Sequence, residues 1–225
     1  MWRIGHRGAC GHAPENTLLS MRKALEIGVD GFEFDIQLSK DGIPVIIHDD
    51  TLERTTSGKG KISDFTVKEL KELDAGKGEK IPTLQEAIEM VDKRTRLFIE
   101  LKAEDSARPV ADIVSNAVKK QGWSWEQFFI CSFDHRQIVE SRMLLPEVRT
   151  LAVLVGIPVT LAEIAVQAGA WALSSAVHHT NQALVDDAHA RGLKTMVWTA
   201  DKPEEITKAR ALNVDGIISN YPDRL

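Results

Sequence analysis

Eight short apolar runs, separated over most of the chain by stretches of helical periodicity, constrain this sequence more than any other feature. The runs are Trp2–His6, Gly31–Gln37, Arg96–Leu101, Phe128–Ser132, Arg149–Val153, Trp171–Ala176, Thr195–Thr199 and Asp215–Ser219. Between most of them apolar residues return every three to four positions, as in Leu18–Ile27, Leu84–Val91, Val110–Lys120, Gln137–Leu144, Thr160–Gln167 and Gln182–Arg191. The punctuation agrees. Thr17 and Thr83 stand where an N-cap belongs, and Glu86 follows Thr83 at capping-box spacing. Gly28, Gly169 and Gly192 follow helical runs, where a left-handed residue closes a helix. Eight strands alternating with helices in 225 residues is the count of a (β/α)8 barrel.

One stretch breaks the alternation. Ile36–Asp49 reads strand, turn, strand, with Asp41-Gly42 as a hairpin turn. A tight hairpin makes antiparallel neighbours, so Ile43–Ile47 is no barrel strand. The polar segment after it carries four glycines (58, 60, 76 and 78) and one short helix over Val67–Leu73. Residues ~38–82 therefore form a hairpin-plus-helix insertion after strand two, among the connections where barrel active sites are built. An open doubly wound sheet is the rival architecture. It wants a G-x-G-x-x-G turn after the first strand, and Gly5-His6-Arg7-Gly8-Ala9-Cys10-Gly11 lacks that spacing. With no linker or internal repeat, residues 1–225 are expected to form one domain.

Composition narrows the partners. A net charge of -5 gives no basic field for nucleic acid. No apolar run approaches a membrane span, and the N-terminus lacks a secretory pattern. Two cysteines, Cys10 and Cys131, make neither a disulfide framework nor a zinc spacing. Cytoplasmic residence without stable membrane insertion is the expectation.

The chemistry concentrates at strand ends. In Gly31-Phe32-Glu33-Phe34-Asp35-Ile36, alternation puts Phe32, Phe34 and Ile36 on one face and Glu33 and Asp35 on the other. Two carboxylates inside a barrel repel unless one is protonated or a cation lies between them. In Arg96–Lys102 the same alternation places Glu100 and Lys102 together at the C-terminal end. A salt-bridged rim pair would explain Glu100 and Lys102 alone, but three carboxylates without thiolates suit a hard cation, Mg²⁺ or Ca²⁺. Lys102 then offers a point charge to a bound anion. His6 ends the first strand and His48 ends the hairpin return, both at the mouth. Two histidines beside three carboxylates suit proton transfer near neutral pH. Arg7 suits bidentate phosphate contact, or an ion pair with a nearby acid.

In this order, His6-Arg7-Gly8, Pro14-Glu15-Asn16-Thr17, Glu33-x-Asp35, Asp41-Gly42 with His48-Asp49, Glu100-x-Lys102, Ser132-Phe133, Trp198-Thr199 and Asp215-Gly216-Ile217-Ile218-x-x-x-Pro222 resemble the glycerophosphodiester phosphodiesterases. The resemblance runs from Met1 to Leu225. It implies a (β/α)8 barrel, a divalent cation, and hydrolysis of a small-molecule glycerophosphodiester to glycerol phosphate and an alcohol. By motif it implies His6 and His48 as the acid–base pair, and Glu33, Asp35 and Glu100 as metal ligands. It also implies Arg7 and Lys102 as phosphate contacts, Phe133 and Trp198 as an apolar wall, and Glu15 as an organiser of the first loop. Thr17 reads better as a helix N-cap.

Three segments depart from the family pattern: Ala200-Asp201 after Trp198-Thr199, the last loop Ser219-Asn220-Tyr221-Pro222, and Val177-His178-His179. They bear on leaving-group preference. His178 and His179 read as surface-loop residues, and Cys10 as a small residue without a base to activate it. A lysophospholipase D on lysophospholipids and a non-catalytic phosphodiester-binding barrel are the alternatives. The polar insertion over Leu52–Lys80 offers a lipid surface nothing to dock on.

Overall fold

The structure is a computed structural model that describes residues 1–225. Its first strand, β1 (Trp2–Gly5), leads through the first loop to α1 (Leu18–Ile27) and back to β2 (Gly31–Leu38). The insertion follows, with β3 (Pro44–Ile46) and the single-turn α2 (Val67–Leu70). Then come α3 (Leu84–Val91), β4 (Arg96–Leu101), α4 (Ala107–Gln121), β5 (Phe128–Ser132), α5 (His135–Leu144) and β6 (Arg149–Leu154). The chain closes with α6 (Glu163–Gln167), β7 (Ala172–Ala176), α7 (Gln182–Ala190), β8 (Lys194–Trp198), α8 (Pro203–Ala211) and β9 (Gly216–Ser219).

The sheet order is β1-β9-β8-β7-β6-β5-β4-β2-β3, and a further β1–β2 pairing closes the ring. Every pairing within the ring is parallel. Only β3 is antiparallel, with Ile36 facing Ile46 and Leu38 facing Pro44. This is the expected (β/α)8 barrel, with β3 outside the count. The hairpin turns at Gly42, whose φ of 73° is left-handed.

Alternation on the strands sorts the side chains as expected. Phe32, Phe34, Ile36, Leu97, Ile99 and Leu101 pack outward against Met21 and Ala24 of α1, Leu84 and Ile88 of α3, and Val110 and Val114 of α4. The barrel lumen holds Ile4, Phe98, Phe129, Cys131, Leu151, Val153, Ala172, Met196 and Ile218. The insertion carries its own small core of Val45, Ile47, Leu52, Ile62, Leu70, Ala75 and Ile81. Those contacts fold the segment on itself although it is mostly polar, and the β2–β3 pairing ties it to the barrel.

Local chemistry sets the ends. Thr17 Oγ1 accepts from Ser20 N–H, and Gly28 closes α1 with φ 76°. Thr83 and Glu86 form the capping box of α3. The periodic stretches expected from Val110, Gln137 and Thr160 begin elsewhere. α4 starts at Ala107, because Pro109 sits in a first turn where a missing N–H costs nothing. α5 starts at His135, capped by Asp134. α6 starts only at Glu163, after Leu161 adopts φ 52°. The short insertion helix ends at Leu70 rather than Leu73. α8 buries only Glu205, Ile206 and Ala209, too sparse an apolar face for periodicity to announce.

Candidate active site

β2 and β4 pair in register, with Asp35 opposite Glu100 and Glu33 opposite Phe98. All three carboxylates therefore point into the lumen near its C-terminal mouth. One oxygen from each of Glu33, Asp35 and Glu100 lies within 4.8 Å of the others. Glu33 and Asp35 are only 4% and 1% exposed, so water screens their repulsion little. Burial, then Asp35 and Glu100, pushes the Glu33 carboxyl well above its usual range. Burial and Asp35 raise Glu100 too, and the Lys102 ammonium does not offset them. Glu33 Oε1 is buried with no hydrogen-bond partner. A crowded oxygen-donor set with an orphaned carboxylate oxygen fits a hard divalent cation. The cluster is one that can coordinate such an ion.

The first loop is folded tightly over this cluster. Arg7 and Gly8 are successive left-handed residues, φ 50° and 83°. That turn lets Arg7 N–H donate to Glu33 Oε2 at 3.1 Å and Gly8 N–H donate to the Glu33 carbonyl at 3.1 Å. A Cβ on Gly8 would stand 2.3 Å from Ser20 Oγ, so only glycine fits against α1 there. Asn16, left-handed at φ 58°, holds Asp35 from two sides. Its Nδ2 donates to Asp35 Oδ2 at 2.8 Å, and its Oδ1 accepts from Asp35 N–H at 3.3 Å.

Two cations answer the three acids. Lys102 Nζ lies 2.9 Å from Glu100 Oε1 and 3.8 Å from Asp35 Oδ1. Arg7 Nη1 lies 2.6 Å from Glu15 Oε1, and its Nε 3.4 Å from Asp35 Oδ2. Burial works against both charges, but the surrounding carboxylates outweigh it and raise both pKa values. Arg7 and Lys102 are thus ion-paired here, as the simpler sequence reading of each allowed.

The histidines are held differently. His6 Nδ1 lies 2.7 Å from Asn220 Oδ1, and its Nε2 is 3.9 Å from Glu33 Oε2. Burial and the Arg7 charge lower its pKa. His48 Nδ1 donates to Asp49 Oδ1 at 2.6 Å. Arg54 grips Asp49 through Nε at 2.6 Å and Nη2 at 3.0 Å, and reaches Glu15 through Nη1 and Nη2 at 2.9 and 2.8 Å. Glu15 thereby joins Arg7 in the first loop to Arg54 in the insertion. Hydrogen bonds from Arg54 and His48 hold Asp49 well below the usual carboxylate range. Burial would raise Glu15, but Arg54 and Arg7 prevail and lower it.

His6, Arg7, Glu33, Asp35, His48, Glu100, Lys102, Phe133 and Trp198 line one cavity of about 160 Å³. Phe133 meets Trp198 edge-on at 5.6 Å and lies under Lys102 Nζ at 5.3 Å. Trp198 Nε1 is a buried donor without a partner. Nine of the ten residues singled out from sequence therefore share one cavity, and Glu15 buttresses it from behind Arg7. Two residues that the sequence reading left outside the site make contacts of their own. His178 is exposed outside the barrel, 3.3 Å from Glu205. The Cys10 thiol is pushed by burial up to about 12 and donates to Asn220 Oδ1.

Sequence reasoning gave no role to Asn16, Asp49, Arg54, Asp201 or Asn220. Asn16 and Asp49 lie inside motifs that were read for their neighbours. Arg54 acts on Glu15 across 39 positions, and Asn220 on His6 across 214. No local pattern signals such pairings.

Carboxylates on β2 and β4 and histidines on the loops beside them, gathered at the C-terminal mouth of a (β/α)8 barrel, mark the place where barrel enzymes build their active sites. The family model described as glycerophosphoryl diester phosphodiesterase family matches residues 6–224, and the chain belongs to that family. A glycerophosphodiester phosphodiesterase of Caldanaerobacter subterraneus subsp. tengcongensis is 35% identical over 232 residues, 99% of this chain and 95% of that protein. An Oleispira antarctica phosphodiesterase, solved in complex with the product sn-glycerol-3-phosphate, superposes with a TM-score of 0.90 at 35% identity. That match covers 98% of this chain and 93% of the other. A glycerophosphodiester phosphodiesterase of Thermotoga maritima superposes at 0.82 with 28% identity, over 100% of this chain and 96% of that one. No helix is long and apolar enough to cross a membrane.

Proposed function

We propose that this chain hydrolyses glycerophosphodiesters to glycerol phosphate and an alcohol, with residues 1–225 acting as one catalytic domain. One observation carries the reading: a three-carboxylate cluster with an unpartnered Glu33 oxygen and two histidine rings line the same small cavity. Glu33, Asp35 and Glu100 are the residues that would hold Mg²⁺ or Ca²⁺. Such an ion would supply positive charge to the phosphoryl oxygens as negative charge develops there.

The chain's own groups do the rest. Arg7 and Lys102 stand beside the carboxylates and offer N–H donors to a phosphate. His6 and His48 exchange protons with the attacking and leaving oxygens, one as base and one as acid. Phe133 and Trp198 exclude water from the side where the alcohol lies, and Trp198 Nε1–H is free to donate to it. Glu15 keeps Arg7 and Arg54 in place. Attack by the substrate's own glycerol hydroxyl, through a cyclic phosphate, gains from proximity. Attack by water reaches the same product, and detection of a cyclic glycerol phosphate in early time points separates the routes.

The test is release of glycerol phosphate from glycerophosphocholine and glycerophosphoethanolamine with Mg²⁺, with Ca²⁺ and with chelator. Release should depend on the cation, vanish in Glu33→Ala, and fall by about 10²–10⁴-fold in His6→Ala or His48→Ala. Near-parental rates in both histidine variants would sink the assignment. Cytoplasmic residence stays part of this reading on the two free thiols, Cys10 and Cys131, and cell fractionation checks it.

A lysophospholipid substrate is the second reading, and one observation favours it. The loop after β6 exposes Val155, Ile157 and Val159, and Phe133 at the cavity is 44% exposed. Turnover of lysophospholipid micelles faster than of water-soluble diesters would support that reading over the first.

A further inference from the structure

Asp201 and Asn220 lie on the two loops that follow β8 and β9, and neither lines the cavity. Their bonding nonetheless reaches it. Asp201 Oδ1 accepts from Asn220 N–H at 2.8 Å and from Ser219 Oγ–H at 2.9 Å. Asp201 Oδ2 faces the Asn220 amide at 2.6 Å. With two donors already on Oδ1, the carboxylate presents only an acceptor to that amide. The amide must therefore turn its NH₂ to Asp201. Its carbonyl oxygen is left facing the other way, 2.7 Å from His6 Nδ1 and 2.7 Å from Cys10 Sγ. A carbonyl oxygen accepts only, so the His6 proton sits on Nδ1. The bare nitrogen is then Nε2, the one on the Glu33 side of the ring.

We propose that Asp201 and Asn220 are positioning residues that lock His6 in the Nδ1–H tautomer, so that Nε2 is the atom through which His6 exchanges protons with substrate. Asp201 sets which way the Asn220 amide faces, and Asn220 passes that choice to the ring. The catalytic half of this inference rests on the function proposed above; the tautomer itself does not.

The chemistry predicts an unusual pair of variants. In Asp201→Asn, the new amide keeps its oxygen toward Ser219 Oγ–H and the Asn220 N–H. Its NH₂ then meets the NH₂ of Asn220. Asn220 relieves that clash by flipping, and presents NH₂ to His6 Nδ1. The ring proton moves to Nε2, where it blocks the working atom. Adding Asn220→Asp to Asp201→Asn restores the order. The NH₂ at position 201 donates to one carboxylate oxygen, and the other accepts from His6 Nδ1–H.

Two readouts test this. Long-range ¹⁵N–¹H spectra of the ring, at about pH 8 where an ordinary histidine is neutral, should show the proton on Nδ1 in the parent. They should show it on Nε2 in Asp201→Asn and back on Nδ1 in the double variant. In the diesterase assay, Asp201→Asn should lower kcat by about 10–10²-fold, part of what a whole acid–base group contributes, with KM within about twofold. The double variant should recover to within about fivefold of the parent. Recovery by a second substitution also excludes simple misfolding of the first. A parental ring proton on Nε2, an Asp201→Asn spectrum unchanged from the parent, or a double variant as slow as the single one would each overturn the proposal. A parent that cleaves no diester would count against the proposed function, while the ring spectra would still decide this inference.

Discussion

The two ends of the barrel use the same strands and opposite physics. At the floor, Phe98 and Phe129 stack at 4.5 Å, and Trp2 packs against both Phe129 and Trp171. Arg96 and Arg149 lie over the exposed faces of those rings, 4.8 Å from Trp2 and 5.2 Å from Trp171. Charge there meets aromatic surface and loses little water. At the mouth, a few residues further along the same strands, three carboxylates crowd together over two lysine and arginine charges. Three of the five buried polar side-chain atoms that lack a partner, Arg7 Nε, Glu33 Oε1 and Trp198 Nε1, lie in the cavity there. At the floor the aromatic rings and arginines answer one another, whereas the mouth gathers three unpartnered polar atoms in one cavity, where something it binds can satisfy them.

The contrast is broken most sharply by one substitution at each end. Phe129→Ala should cost about 3–5 kcal/mol of stability, because it empties the centre of the lumen stack. Its kcat at a temperature where it stays folded should remain near the parent's, and a urea titration beside an activity assay checks both. Glu33→Gln should do the reverse. It removes a buried carboxyl whose ionisation burial, Asp35 and Glu100 all oppose, so the cation-free protein should melt higher, by about 2–4 °C for each kcal/mol of that cost relieved. Its activity should fall by about 10²–10³-fold or more, and divalent cations should no longer raise its melting temperature as they raise the parent's. A Glu33→Gln protein that melts lower without cation would mean that the cluster is a structural network and not a ligand set.

A smaller effect sharpens the boundary between site and scaffold. Arg54 is half exposed and belongs to the insertion, yet it holds both Asp49 behind His48 and Glu15 behind Arg7. Arg54→Ala should lower kcat by about tenfold, the scale at which partners behind site residues act. Arg54→Lys should recover little, because one ammonium cannot grip two carboxylates in the forked geometry. Loss of stability without loss of kcat would make the insertion a brace rather than part of the site.

How far these regions are legible in the sequence follows from the range of their interactions. The carboxylates of β2 and β4 could be read because alternation along a strand is a local rule, and a barrel gives each face one destination. His6 and His48 could be placed because both lie just past the end of a strand. Asn220 could not, since its role depends on an amide orientation set by Asp201, 19 residues away, and on a ring 214 residues away. Arg54 could not, since nothing in a polar, glycine-punctuated segment says which of its charges faces inward. α8 escaped periodicity for a related reason. Its N-terminal support is Glu205, which accepts from the Asp201 and Lys202 N–H groups rather than burying apolar surface.

The smallest effect belongs to the floor's own ion cluster and tests whether that end acts independently of the mouth. Asp215, just before β9, meets Lys194 Nζ at 2.9 Å, His189 Nε2 at 2.9 Å and the Thr195 N–H at 2.9 Å. Burial raises its pKa, but Lys194, the Thr195 N–H and His189 together outweigh burial and lower it below the ordinary carboxylate value. A carboxyl whose folded pKa is depressed stabilises the fold above its unfolded pKa, about 3.9, and loses that contribution as pH falls through the lower folded value. Asp215→Asn should therefore be less stable than the parent at pH 7 by about 0.5–1 kcal/mol, the range for a partly exposed pair. The gap should hold down to about pH 4 and narrow below it, where the parent's carboxylate is protonated as well. Urea midpoints of the two proteins across that range provide the measurement, with diesterase activity at pH 7 unchanged. A gap that widened below pH 4 would show that the carboxylate is not stabilised by these three partners, and an activity loss would show that the floor reaches the mouth.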